Sequence, residues 1–165
     1  MKLGRILIEL LTIKDFGNMK NEKWIKFINE VIPNLEDQDV LSDFVKKSYY
    51  GESYGKALLF YGEGCNGKSA MVNVLKEIVG AKPFRKNFAT FAQYPEEDKS
   101  ELYKRAISER GINIIFASNK NPKIEGIHRR CHVIFFPAII QNPNPNLVSE
   151  LCEELDGIKE WFGIC

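Results

Sequence analysis

The stretch Gly62-Glu63-Gly64-Cys65-Asn66-Gly67-Lys68-Ser69 constrains this chain more than any other. It fits the pattern G-x-x-x-x-G-K-[ST] of a phosphate-binding loop. Its flanks fit as well. Lys56 to Tyr61 is a short apolar run of strand length, and Met71, Val74, Leu75, Ile78 and Val79 recur at helical spacing before Gly80. The sequence therefore predicts strand, glycine loop and helix in succession, the order in which a nucleoside triphosphate is held.

The residue types follow from the chemistry. Backbone N–H groups must turn inward around phosphates, and a Cβ obstructs several of those conformations, so Gly62, Gly64 and Gly67 are expected in the cradle with Asn66. The helix N-terminus adds unpaired donors and positive partial charge. Lys68 is the point charge for the outer phosphates, and the Ser69 hydroxyl is the expected Mg²⁺ ligand. ATP and Mg²⁺ are the cofactors this implies.

Elsewhere, Trp24, Ile25, Phe27, Ile28, Val31 and Ile32 mark one face of a helix stopped by Pro33. A second helix is expected from about Gln38 to Lys47, then a loop over Gly51 to Gly55. Pro83 to Glu97 shows no clean period, and Ser100 to Glu109 looks helical. Ile112–Ala117 and Cys131–Phe136 read as buried strands. Asn144 is placed to cap a final helix with Pro145 in its first turn and Leu147, Val148, Leu151, Leu155, Ile158 and Trp161 as its buried stripe. Helices alternating with buried strands predict an α/β fold, a P-loop NTPase core around a parallel sheet. A helical lead-in over 1–50 would precede the core over 51–165, and a C-terminal helix would close it.

Bulk properties narrow the partners. Lys+Arg number 23 against 22 Asp+Glu, a net charge of +1, so any nucleic-acid contact must use a local patch or an assembled pore. Cys65, Cys131, Cys152 and Cys165 lack C-x-x-C spacing, as expected of reduced thiols in a cytoplasm. The apolar run Ile6 to Ile13 is broken by Glu9 and lacks a cleavage site, so it reads as strand or helix, and no segment is long enough to span a membrane.

A second constellation follows the loop. Asn119 stands at the end of the second strand, where an amide can contact a γ-phosphate or orient water. Arg129 and Arg130 precede the third strand and could enter a neighbouring subunit's site. Each alone is a common surface feature; their order after a phosphate loop is specific. His128, Cys131 and His132 cluster too, but Cys131 and His132 would face opposite sides of a strand and no fourth metal ligand is evident. Lys82, Arg85 and Lys86 interleave with Phe84, Phe88 and Phe91, a single-strand-binding pattern that a core with a solvated rim also produces.

"YGEGCNGKS", "ASNKNP" and "HRRCHVIFFPAII" together resemble the superfamily 3 helicases, in particular the C-terminal helicase part of phage and plasmid primase/helicases and their poxvirus-type relatives. "WIKFINEVIPNLEDQDVLSDFV" and "NPNLVSELCEELDGIKEWFGI" are similar to that family's flanking helical regions, so the resemblance covers about residues 20 to 163. It implies that Lys68 and Ser69 bind triphosphate and Mg²⁺, that Asn119 is the sensor asparagine, and that Arg129 or Arg130 is an arginine finger acting in trans. It also implies a hexameric ring that draws single-stranded DNA through a pore by ATP hydrolysis.

The chain departs from that pattern in one respect. The family carries a Mg²⁺-binding carboxylate on an apolar strand between the loop and the sensor. Here the interval is short, and only Glu96, Glu97 and Asp98 are acidic candidates, after a proline-containing stretch that makes a poor central strand. The expectation is a deletion between about 85 and 110 that removed the acidic strand, with Glu96 (metal) and Glu97 (catalysis) as fallbacks. Two other readings stand beside the helicase: a nucleotide-binding remnant or ring subunit that does not hydrolyse, and a small P-loop kinase with Arg105 and Arg110 in its lid.

Overall fold

The computed structural model describes residues 20–80, 88–90, 113–119, 129 and 131–164, with the backbone alone for 88–90. The expectations for Ile6 to Ile13, for Ser100 to Glu109, and for Glu96, Glu97, Arg130 and His128 concern residues outside these.

Among the described residues, two helices precede the sheet. α1 (Glu22–Val31) buries Trp24, Phe27, Ile28 and Val31, the apolar face expected from the sequence. α2 runs from Leu35 to Tyr50, longer at both ends than Gln38 to Lys47. Polar chemistry explains the difference. Asn34 Oδ1 accepts the Glu36 N–H at 2.8 Å, with Glu36 and Asp37 in the first turn, so the helix starts before its apolar stripe does. Gly51, at φ 76°, ends it, and Glu52 N–H reaches back to Lys47 O at 2.8 Å.

Among the described residues the sheet has four parallel strands in the order β2-β3-β1-β4: β1 (Ala57–Tyr61), β2 (Phe88–Thr90), β3 (Asn113–Ser118) and β4 (Cys131–Phe135). This is the α/β parallel arrangement the alternation of elements predicts. β1 is central and apolar throughout, as a strand covered on both faces must be. β2 was not legible, because three residues carry no period. Between β1 and β2, α3 (Lys68–Gly80) packs Met71, Val72, Val74, Leu75, Ile78 and Val79 inward.

The C-terminal part departs from expectation. Instead of one helix there are two, α4 (Leu147–Cys152) and α5 (Leu155–Trp161). Asn144 does not cap α4; its Oδ1 accepts the Asn146 N–H at 2.9 Å, and Asn146 holds the cap position with Pro145 outside the helix. The break at Glu153 and Glu154 lets the Glu154 carboxylate meet the N-terminus of α1, accepting from Lys23 N–H (3.1 Å) and Trp24 N–H (2.9 Å). Gly157 lies so close to Lys20 O that a Cβ would overlap it. Of the predicted stripe, Leu151 and Ile158 are fully buried and the other four are half-buried; Phe162 and Ile164 join the core unforeseen. Residues of α1, α2, the sheet, α3, α4 and α5 share one apolar cluster.

Candidate functional site

The glycine loop leaves the C-terminal end of β1 and is tied to both neighbouring strands. Gly62 N–H donates to Ser118 O at the end of β3 (3.3 Å). On the other side, Phe136 N–H donates to Tyr61 O (2.8 Å) and Ile140 N–H to Cys65 O (2.9 Å). Gly67 O then accepts the Met71 N–H at 2.9 Å, which opens α3. The loop is thus held at its start, middle and end by main-chain bonds.

Two of its three glycines are demanded by the fold, for different reasons. A Cβ on Gly62 would collide with Asn66 Nδ2 and Phe136 O. Gly67 has φ +85° and lies against α1, where a Cβ would stand 2.7 Å from Val31 Cγ1 and 3.2 Å from Phe27 Cε2. A Cβ on Gly64 would meet nothing within 4 Å, so packing does not demand that glycine. Cys65 itself adopts φ 56°, the left-handed region, and its side chain is exposed.

Lys68 begins α3, yet only 6% of it is exposed. Its Nζ donates to Gly62 O (2.5 Å) and Asn66 Oδ1 (2.8 Å). Burial holds its pKa below the ordinary lysine value, and nearby Cys65 opposes this. A partly desolvated ammonium at a helix N-terminus is strongly attracted to anionic oxygens. Ser69, one residue on, is exposed in the first turn of α3.

Asn119 follows Ser118, which pairs with Tyr61 in the parallel register, so its backbone stands beside Gly62 and its side chain is exposed. Arg129 lies elsewhere. It is exposed and precedes β4, whose first residue Cys131 pairs with Ala57 while Phe135 pairs with Tyr61. Arg129 and the glycine loop therefore occupy opposite ends of the sheet, at least about 13 Å apart at roughly 3.3 Å per residue. Glu96, Glu97 and Arg130 fall outside the described residues, and the four strands end in Tyr61, Thr90, Ser118 and Phe135, none acidic.

Cys131 is buried, which pushes its thiol up to about 11, and His132 is half-buried on the other strand face. Among the described residues no three His, Cys, Asp or Glu side chains gather as a metal site, and no helix is long and apolar enough to cross a membrane. Sequence reading missed the supports of the loop: Phe27 and Val31 beneath Gly67, and Phe136 O beside Asn66. The first pair looked like ordinary core, and a carbonyl leaves no mark in a sequence.

No family model matches the sequence, and no curated protein matches it. Solved structures of the C-terminal region of NrS-1 do resemble it. The A-form apo structure of that region superposes with a TM-score of 0.67 at 15% identity, over 87% of this chain and 45% of that one. The apo structure of residues 305–718 gives 0.67 at 16%, over 86% and 45%. An A-form structure of the same residues gives 0.65 at 16%, over 86% and 44%. This chain thus spans less than half the length of the chains it resembles, and the likeness is one of fold.

Proposed function

We propose that this chain is the ATPase core of a superfamily 3-type helicase, from a phage, plasmid or prophage replication protein, that hydrolyses ATP to move along single-stranded DNA. The observation that carries the reading is the buried Lys68 ammonium, fixed by Gly62 O and Asn66 at the start of α3. The fold likeness to the NrS-1 C-terminal region and the motif order in the sequence support it.

The residues fit a triphosphate. Gly62, Gly64, Asn66 and Gly67 shape the cradle, Lys68 neutralises the outer phosphates, and Ser69 offers its hydroxyl to Mg²⁺. Bound ATP supplies the phosphoanhydride bond, and Mg²⁺ the charge that offsets its oxygens. Asn119, beside the loop, orients water or contacts the γ-phosphate. Arg129, at the far end of the sheet, cannot serve its own loop; with Arg130 it serves a neighbour's, which favours a closed ring, hexameric by the family resemblance. Glu96 or Glu97 would hold the metal and polarise water.

A second reading has its own observation: none of the described strands ends in a carboxylate. The chain would then bind nucleotide without turnover, as a remnant or as a subunit in rings of an intact helicase. One experiment separates the two. ATP hydrolysis is measured with and without single-stranded DNA, beside binding of a fluorescent ATP analogue. DNA-stimulated hydrolysis supports the helicase, and binding without hydrolysis supports the second reading. Equal binding by wild type and Lys68→Ala would remove both.

A further inference from the structure

Asn66 is 2% exposed and its amide is used at both ends. Its Oδ1 accepts from Lys68 Nζ at 2.8 Å, and its Nδ2 donates to Phe136 O at 3.4 Å. The amide can point only one way. An ammonium has no acceptor for an NH₂ group, and two carbonyl oxygens repel. Gly62 makes the second bond possible, because a Cβ there would lie against both Asn66 Nδ2 and Phe136 O. Phe136 is in turn fixed to β1 through Tyr61 O, and the same segment returns at Ile140 to bond Cys65 O. A chain of bonds therefore runs from β1 through Phe136 and Asn66 to the lysine ammonium.

We infer that Asn66 is a positioning residue for Lys68: it ties the ammonium to the backbone after β4, so that the lysine meets a phosphate already oriented. The inference deepens the phosphate-loop reading and rests on it. Lysine has four rotatable bonds and loses much freedom on immobilisation, so a fixed second acceptor reduces what binding must spend on ordering it. Gly62 O alone leaves the ammonium one partner and freedom to swing. The Asn66 side chain needs no contact with substrate to act in this way.

Two measurements test it. The first needs no nucleotide: acetylation of Lys68 by acetic anhydride, mapped by mass spectrometry against exposed Lys76 in wild type and Asn66→Ala. Lys68 is expected to label slowly in wild type and several-fold faster in the variant, while Lys76 is unchanged. Equal Lys68 rates would overturn the tether. The second is binding of a fluorescent ATP analogue by wild type, Asn66→Ala, Lys68→Met and the double variant, each first checked for cooperative thermal unfolding. A hydrogen bond to a charged group is at stake, so Asn66→Ala should weaken binding by roughly tenfold. The double variant should be no weaker than Lys68→Met alone, because Asn66 acts through Lys68. Additive losses would mean that Asn66 merely shapes the loop, and unchanged affinity in Asn66→Ala would end the positioning role. If Lys68→Met bound as wild type does, the phosphate-loop reading itself would fail and carry this one with it, whatever the labelling showed.

Discussion

Val31 of α1 stands directly beneath Gly67 of the glycine loop, so close that a Cβ on the glycine would lie 2.7 Å from Val31 Cγ1. The lead-in helix is thus a floor for the loop. Gly67→Ala adds this overlap to a left-handed φ that costs an L-residue about 1–2 kcal/mol. It should destabilise the fold by at least that amount in denaturant unfolding. Val31→Ala should recover part of the loss, with a coupling of about 0.5–3 kcal/mol in a double-mutant cycle. Strict additivity would mean that the two do not touch.

Gly62 and Gly64 should part company. Gly62→Ala pushes apart Asn66 and Phe136, so analogue binding and thermal stability should both fall. Gly64→Ala meets no protein atom and should leave the unfolding free energy within about 0.5 kcal/mol of wild type, as surface changes do. Any loss of analogue binding in Gly64→Ala would then report on the ligand rather than on folding.

Glu154 caps a helix in a distant part of the sequence. Its two oxygens accept from Lys23 N–H and Trp24 N–H, both otherwise orphaned at the start of α1. Glu154→Ala should cost about 0.5–2 kcal/mol, the range for a lost N-cap. For a domain of this size that lowers the melting midpoint by roughly 2–4 °C per kcal/mol. Glu153→Ala removes only an exposed ion pair with Lys23 and should change little.

Asn113 is a buried junction. Its Nδ2 donates to Ser48 Oγ (3.0 Å) and Glu52 O (2.8 Å), and its Oδ1 accepts the Tyr54 N–H (2.8 Å). It binds the segment between α2 and β1 to the start of β3. Asn113→Leu keeps the bulk and removes the partner of Glu52 O and the Tyr54 N–H, while the Ser48 hydroxyl keeps its bond to Phe44 O, at about 1–3 kcal/mol for each group left buried without a partner. Urea unfolding should show a lower midpoint with an unchanged slope.

His132 carries a pH signature. Burial first, and the charge of Lys56 second, hold its pKa below the ordinary 6.5. The unfolded chain therefore takes up the proton more readily. The stability from neutral His132 is present above about 6.5 and is lost as pH falls through its lower folded-state value. Melting temperatures at pH 7.5 and 5.5 should differ less in His132→Gln than in wild type. Asp37, raised above 3.8 by burial and by Glu36, acts with the opposite sign and only at lower pH.

The loop, the strands on either side of it and the apolar face of α1 were legible because each carries a local signature: glycine spacing, a short apolar run, a helical period. α2 was read short because its ends are set by Asn34 and Gly51 rather than by apolar residues. The split of the last helix was hidden because Leu147 to Trp161 keeps one period through the break. At the break Glu154 reaches α1, a contact 130 residues away in sequence. The pairing of Asn66 with Phe136 O was invisible for a similar reason, since one partner is backbone. Asn119 was singled out by its place at a strand end, and the parallel register sets its backbone beside the loop.

The aromatic cluster at the α1–α5 junction has an optical consequence. The chain contains two tryptophans, Trp24 and Trp161, with ring centroids 5.7 Å apart. Phe162 flanks both, and the Trp24 indole N–H finds no hydrogen-bond partner among the described residues. Tryptophan fluorescence, excited selectively over the six tyrosines, therefore looks at one place, the seat of the C-terminal helices on α1, and is blind to the sheet. An emission change would record the undocking of that corner, which can precede global unfolding. Because the same α1 carries Phe27 and Val31 under Gly67, a quiet signal on adding nucleotide would say that the floor of the loop stays still.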